Sequence, residues 1–203
     1  SKPESYIVVS AHFDHVGISR GKIYNGADDN ASGTAALFAI AKYFQEHPPE
    51  HSLIFAAFDA EEIGLEGAKH FVRNPPVSIE KILLNINLDM VSRSDKNELY
   101  ISGTYHYPIF KTILSPIVEK VPVKLLFGHD EPEPKRDDWT FQSDHGVFHK
   151  KKIPFVYFGV EDHADYHRPT DDFEKVDKKF FSNSVKTIVV ATDTLDKSLN
   201  SKK

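Results

Sequence analysis

Two adjacent acids, Glu61 and Glu62, come just after an apolar run that ends at Phe58. Adjacent carboxylates at a strand end can take different roles, because one can bind a metal while its neighbour moves protons beside that metal. Glu-Glu pairs are also common where solvated helices begin, so the pair by itself indicates little. Other acids and histidines follow apolar runs or lie in nearby loops: His12, Asp14, Asp28, Asp29, Asp89 and His167.

The chain has no cysteine, so any metal would be held by histidine and carboxylate, both of which zinc accepts. Two metals about 3.5–4 Å apart need a shared carboxylate, because bare cations at that distance repel each other. The segment 26–33 could supply it. Its glycines allow a tight turn, and its acids would lie at a helix N-terminus, where the helix dipole favours negative charge. The same segment also fits a plain N-terminal cap.

Apolar runs of strand-like length alternate with segments of helical spacing along most of the chain. Strands are predicted over 6–10, 53–58, 81–88, 99–102, 123–127 and 153–159. Helices are predicted over 30–44, 65–72, 108–118 and 181–195. Pro116 is expected to break or kink the last turn of the third helix.

This alternation predicts an α/β fold, a three-layer α/β/α sandwich with a mostly parallel central sheet covered on both faces. Ligand sites in such sheets lie beyond the carboxyl ends of the strands. The acids and histidines that follow strands should therefore lie close together at the carboxyl end of the sheet. His167 could join them from the loop after the last strand.

Length and charge narrow the classes of function. A chain of 203 residues fits one domain. The 25 basic and 30 acidic residues give a net charge of −5, which argues against a nucleic-acid partner. No apolar run approaches the roughly 20 residues of a membrane span, and no signal peptide is visible.

Five segments together resemble the signature blocks of the M28 family of co-catalytic dizinc aminopeptidases. They are Ser-Ala-His-Phe-Asp-His at 10–15, the loop 26–33, Phe-Asp-Ala-Glu-Glu-Ile-Gly-Leu at 58–65, Asn-Leu-Asp-Met at 87–90 and Asp-Tyr-His at 165–167. Each block is weak alone, but five in the family's order make a specific match. The resemblance implies a single peptidase catalytic domain over 1–203, with the N-terminal part of the family domain and possibly sheet-edge elements absent.

The resemblance also implies a site with two zinc ions, for which cobalt or manganese could substitute. Asp29, followed by a cis peptide bond, would bridge the ions. His12 and Asp89 would complete one ligand set, and Glu62 and His167 the other.

Three further residues take roles from the resemblance. Glu61 would be the general base that activates the metal-bound water and passes its proton to the leaving amine. The Asp14 carboxylate would accept a hydrogen bond from the ring N–H of His12 that does not face the metal. Tyr166 resembles a tyrosine whose hydroxyl stabilises the oxyanion. Apart from the resemblance, the charged stretch 128–138 is interpreted as a solvated loop or, alternatively, as a lid over the site with Trp139 and Phe141 as pocket walls.

The implied reaction is hydrolysis of the N-terminal bond of peptides with a free N-terminus. Secretion or a periplasmic location is favoured by the resemblance, while the preferred N-terminal residue and the oligomeric state stay open. Alternatives are a glutaminyl cyclase-like enzyme with one zinc, a carboxypeptidase or deacylase on the same scaffold, and a noncatalytic binding module. A binding module predicts a lost base or ligand, and none is lost.

The other histidines are interpreted as structural. His15 could lie behind the ligands, and His163 is interpreted as a loop residue. The rest are assigned to the surface: His47, His51, His70, His106, His129 and His149.

Overall fold

The computed structural model describes residues 2–132 and 137–199. Its strands are β1 (Lys2–His12), β2 (Gly17–Ser19), β3 (Lys22–Tyr24), β4 (His51–Phe58), β5 (Ile82–Leu88), β6 (Glu98–Ser102), β7 (Lys124–Phe127) and β8 (Phe155–Gly159). Its α-helices are α1 (Gly33–Glu46), α2 (Glu66–Arg73), α3 (Pro108–Leu114), α4 (His145–Lys150) and α5 (Lys178–Ser198).

Six of these strands form one sheet in the order β4-β1-β5-β8-β6-β7. β4, β1, β5 and β8 run parallel to one another. β6 is antiparallel to β8 and parallel to β7, while β2 and β3 form a separate antiparallel pair. The prediction of a mostly parallel sheet is confirmed. The carboxyl ends of its four parallel strands lie at the same end of the sheet.

Helices cover both faces of the sheet. Along β1, Ile7, Val9 and Ala11 pack into a core shared with α1, α3 and α5. Val8 packs into a second core shared with α2 and α4. Since successive strand residues point to opposite faces, one strand anchors both helical layers. The predicted three-layer sandwich is confirmed.

Local differences from the predicted elements have physical causes. The third helix gives way to a 3₁₀ segment, Ser115–Lys120, because Pro116 cannot donate the next helical hydrogen bond. The hairpin β2–β3 and the short helix α4 were not predicted. The prediction that His51 lies on the surface is wrong. It is buried at the start of β4, where its Nδ1 lies 2.9 Å from Asp196 Oδ1 on α5, and this acid gives the buried ring a partner.

Within the described residues, no helix is both long and apolar enough to cross a bilayer. β4 and β7 form the two edges of the sheet. That the chain is one catalytic domain without the N-terminal edge elements of the family stays a prediction.

Candidate metal centre

The predicted site residues lie beyond the carboxyl ends of the parallel strands. His12 is the last residue of β1, and Asp89 directly follows β5. Glu61 and Glu62 lie in the turn after β4, and His167 lies in the loop after β8. All five line one cleft. The structure therefore brings them together at the carboxyl end of the sheet, as the strand pattern predicts.

Asp29 lies between two groups of possible metal ligands. Its Oδ1 is 3.4 Å from His12 Nε2, which is itself 3.3 Å from Asp89 Oδ1. Its Oδ2 is 3.1 Å from His167 Nε2, which is 3.4 Å from Glu62 Oε2. One carboxylate therefore faces both groups, which is the arrangement a bridging ligand needs.

The donor types and separations fit zinc. Two ligands about 2.0–2.1 Å from a tetrahedral zinc ion are about 3.3 Å apart. The four contacts around Asp29 span 3.1–3.4 Å. Among the described residues, one ligand atom each of His12, Glu61 and Asp89 also lie within 4.8 Å of one another, and so do those of His15, Asp29 and Glu62.

The charge state of Asp29 suits a ligand. Burial alone would raise its pKa, but the contacts with His12 and His167 hold that pKa well below its usual range. The carboxylate is therefore ionised at neutral pH, as metal binding requires.

The loop that carries Asp29 is shaped by its backbone. Gly26 has a φ of 62°, and the segment Ala27–Ser32 that follows it is kinked, with non-helical backbone angles at Asp29 and Asn30. The peptide bond from Asp29 to Asn30 is cis, as the family resemblance predicts. Asp171 accepts hydrogen bonds from the backbone N–H groups of Asp28 and Asp29, each at 3.1 Å, and so ties the loop to the chain beyond His167.

Asn30 connects the same loop to the end of β5. Its side-chain amide donates to the Leu88 carbonyl at 2.9 Å, and its Oδ1 accepts from the Gly33 N–H at 2.9 Å. A Cβ on Gly33 would lie 2.6 Å from the Leu88 oxygen, so only glycine fits there without movement. These contacts fix the distance between Asp29 and Asp89, the residue after Leu88.

Asp28 bonds to Ser92 and His163, which are not among the predicted metal ligands. Asp28 Oδ1 accepts from the Ser92 N–H and Oγ, both at 2.8 Å. Its Oδ2 lies 3.1 Å from His163 Nε2. Asp28 therefore holds the loop in place, and the interpretation of His163 as a loop residue agrees with this contact.

Asp14 lies beside His12, and its contacts extend beyond the predicted one. His12 Nδ1 is 3.1 Å from the Asp14 backbone oxygen and 3.5 Å from its Oδ1. The carboxylate also accepts hydrogen bonds from the backbone N–H groups of Glu61 at 3.0 Å and Glu62 at 3.3 Å. The backbone of Asp14 thus orients His12, and its side chain positions the two glutamates.

Glu61 has the electrostatics of a proton-transfer group. Burial, with the nearby Asp89 carboxylate, raises the pKa of Glu61 to about 8. A base works best when its pKa lies near the working pH. A cation bound beside Glu61 would lower this pKa again by favouring the carboxylate.

The donor groups open into a cleft of about 310 Å³. Trp139 and Phe141 line it, as does the polar residue Asp162. That Trp139 and Phe141 wall a substrate pocket stays a prediction. Tyr166 also lines the cleft, and its ring stacks on His167 with centroids 3.9 Å apart. Burial, with nearby carboxylates, raises the Tyr166 pKa, so its hydroxyl stays protonated.

Two residues, His15 and Asp171, contact the site in ways that are visible only in the folded structure. His15 lies beside Glu62 with its Nδ1 2.8 Å from Oε1. The sequence shows only that His15 follows Asp14, and this position does not indicate the direction of the His15 ring. Asp171 was not singled out, because its partners lie 142 and 143 residues away along the chain.

The chain is similar to several proteins that are named aminopeptidases. It is 30% identical over 192 residues to Aminopeptidase YwaD of Bacillus subtilis, covering 88% of this chain and 38% of that protein. It is 36% identical over 163 residues to an aminopeptidase of Pseudomonas aeruginosa, covering 78% of this chain and 29% of that one. The crystal structure of BSAP, a zinc aminopeptidase from Bacillus subtilis, superposes with a TM-score of 0.78 at 25% identity, over 98% of this chain and 50% of that chain.

The chain thus spans 29–50% of the length of these relatives. Residues 1–192 match the sequence profile of Peptidase family M28. That match covers nearly the whole chain and includes every residue of the two donor groups. The chain belongs to peptidase family M28.

Proposed function

We propose that this chain is the catalytic part of an aminopeptidase that removes the N-terminal residue of peptides with the help of two zinc ions. The observation that carries the proposal is the double contact of Asp29, whose two oxygens face separate donor groups. His12 and Asp89 would hold one ion together with Asp29. Glu62 and His167 would hold the other.

The names of the relatives support the same activity. The similar proteins of Bacillus subtilis and Pseudomonas aeruginosa are both called aminopeptidases, and the similar crystal structure is that of a zinc aminopeptidase.

The ions, when bound, would act as Lewis acids that polarise the scissile carbonyl and acidify water. Glu61 would take the proton of the attacking water and pass it to the leaving amine. The Tyr166 hydroxyl would donate a hydrogen bond to the carbonyl oxygen as negative charge develops there. Asp162 adds negative charge to the cleft wall, which suits a protonated substrate α-amino group.

The experiment is metal analysis of the purified chain, followed by assays on a panel of aminoacyl substrates with and without a chelator. We expect two ions per chain, aminoacyl hydrolysis, and loss of hydrolysis in chelator that zinc restores. Cyclisation of glutaminyl peptides with one ion per chain would instead support the cyclase alternative and overturn the proposal.

A further inference from the structure

We propose that His129 is a positioning residue, which holds the Trp139 indole in place at the wall of the cleft and thereby sets the space available to a large substrate side chain. The inference rests on the proposed aminopeptidase function and adds to it a determinant of specificity outside the two donor groups. Among the described residues, those that line the cleft include Trp139 but not His129. The imidazole therefore supports the indole from outside the cleft.

The rings of His129 and Trp139 form a close stack. Their centroids are 3.7 Å apart and their planes differ by only 7°. Tyr100 covers the side of this stack, since its ring meets the imidazole at 80° and the indole at 73°. Aromatic rings attract one another both in stacked and in edge-to-face arrangements. Three rings thus hold one another in a fixed order behind the cleft wall.

The imidazole is itself held by polar contacts on both of its nitrogens. His129 Nδ1 lies 3.1 Å from the backbone oxygen of Asp137, and Nε2 lies 3.1 Å from Glu161 Oε1. The His129 carbonyl also accepts the backbone N–H of Trp139 at 2.7 Å. Glu161 is half exposed, so its pair with His129 contributes little to stability. The main consequence of these contacts is the orientation of the ring that supports the indole.

The indole is linked on another side to the segment that carries a proposed metal ligand. The Tyr157 ring meets it at 72°, with centroids 5.7 Å apart. The Tyr157 hydroxyl donates to the backbone oxygen of Asp89 at 3.1 Å. Of the described ring contacts of Trp139, only the one with His129 is parallel and so covers a face of the indole. Without the imidazole, the indole would be free to tilt away from Tyr157 and the cleft.

A turn residue that merely fills space is the competing explanation for His129. Its φ is 58°, in the left-handed region that favours glycine, and the chain has its glycine one position earlier, at Gly128. A residue with a side chain persists in this region when its surroundings offset the cost. The stack on Trp139 is the largest contact that the ring makes, and it accounts for a histidine at this position.

Tryptophan fluorescence tests the support directly, because Trp139 is the only tryptophan of the 203 residues. His129→Asn removes the ring and keeps a residue type that tolerates the left-handed backbone. We expect emission at longer wavelength and stronger quenching by acrylamide, since water would reach one face of the indole. His47→Asn is the matched control, because it removes a histidine stacked on Tyr43 with centroids 4.2 Å apart, and it should leave the emission unchanged. Unchanged emission and quenching in His129→Asn would overturn the inference.

Steady-state kinetics on the full chain test the effect on specificity. His129→Asn should raise KM for a phenylalanyl substrate by about 3–10-fold relative to KM for an alanyl substrate, the effect of losing one aromatic contact. The kcat values should stay unchanged, since the described contacts of His129 include neither a proposed metal ligand nor Glu61. If the unaltered chain hydrolyses both substrates and His129→Asn keeps their KM ratio, only this inference fails. If the unaltered chain hydrolyses neither, the proposed function fails too.

Discussion

The carboxylate of Asp14 accepts a hydrogen bond from the backbone N–H of Glu61 at 3.0 Å, which ties the loop after β1 to the turn after β4. Glu62 donates to the same carboxylate at 3.3 Å. The proposed base and the proposed ligand beside it are therefore held by one side chain from a neighbouring strand end.

Replacing Asp14 tests this positioning role. Asp14→Ala should lower kcat by about 10–100-fold, because supporting contacts of this kind usually contribute that much. Steady-state kinetics on an aminoacyl substrate measure the effect. Asp95→Ala, at an exposed acid of the turn before β6, is the matched control and should keep normal kcat. Normal kcat in Asp14→Ala would show that the Glu61 turn holds its position without this carboxylate.

Asp29→Asn tests the bridge. Because one carboxylate faces both donor groups, its neutralisation should weaken both ions, whereas Asp89→Ala should weaken only the ion near His12. The measurement is zinc content after dialysis at a series of fixed free zinc concentrations. Retention of one ion at normal affinity in Asp29→Asn would contradict a bridging role.

Gly33→Ala tests the shape of the loop behind the bridge. The added Cβ would lie 2.4 Å from Asn30 Oδ1 and 2.6 Å from the Leu88 oxygen, so the loop must move away from the end of β5. We expect weaker zinc binding and a lower thermal midpoint. Gly128→Ala is the control, because a Cβ there would meet no atom within 4 Å. Equal zinc affinity and thermal midpoint in the two variants would refute this account of the loop.

The buried pair of His51 and Asp196 should matter for stability. Asp196 accepts the backbone N–H groups of Glu50 at 2.7 Å and His51 at 2.9 Å as well as contacting the His51 ring. Asp196→Ala should lower the free energy of unfolding by about 1–3 kcal/mol, since it leaves the buried His51 ring and backbone N–H without this acceptor.

Asp193→Ala is its control on the same helix. Asp193 pairs with Lys197 at 2.6 Å near the surface, where such pairs contribute about 0–1 kcal/mol. Urea unfolding of both variants gives the comparison. A loss below about 1 kcal/mol in Asp196→Ala would contradict the structural role of the buried pair.

The sequence predicted those features that depend on local pattern. Apolar runs located β1, β4, β5 and β8, and their ends located Glu61 and Asp89, because strand length and the residue after a strand are local properties. The hairpin β2–β3 escaped prediction because its strands have three residues each and are largely exposed, so they carry little periodicity.

Features that depend on distant partners could not be predicted in the same way. His51 was predicted to lie on the surface because its buried partner, Asp196, is 145 residues away along the chain and the local sequence gives no sign of it. The contacts of Asp14 with two backbone amides and the direction of the His15 ring likewise depend on how separate loops meet. The ligand roles, the two-zinc stoichiometry and the secreted or periplasmic location stay predictions.

The central claim is that Glu61 moves protons beside two bound zinc ions and is not needed to hold them. Zinc content and aminoacyl hydrolysis of Glu61→Gln, measured on the same sample, test it most directly. The account predicts two zinc ions per chain and hydrolysis reduced by at least about 100-fold, the lower range for a general base. Normal hydrolysis, or the loss of a zinc ion, would contradict it.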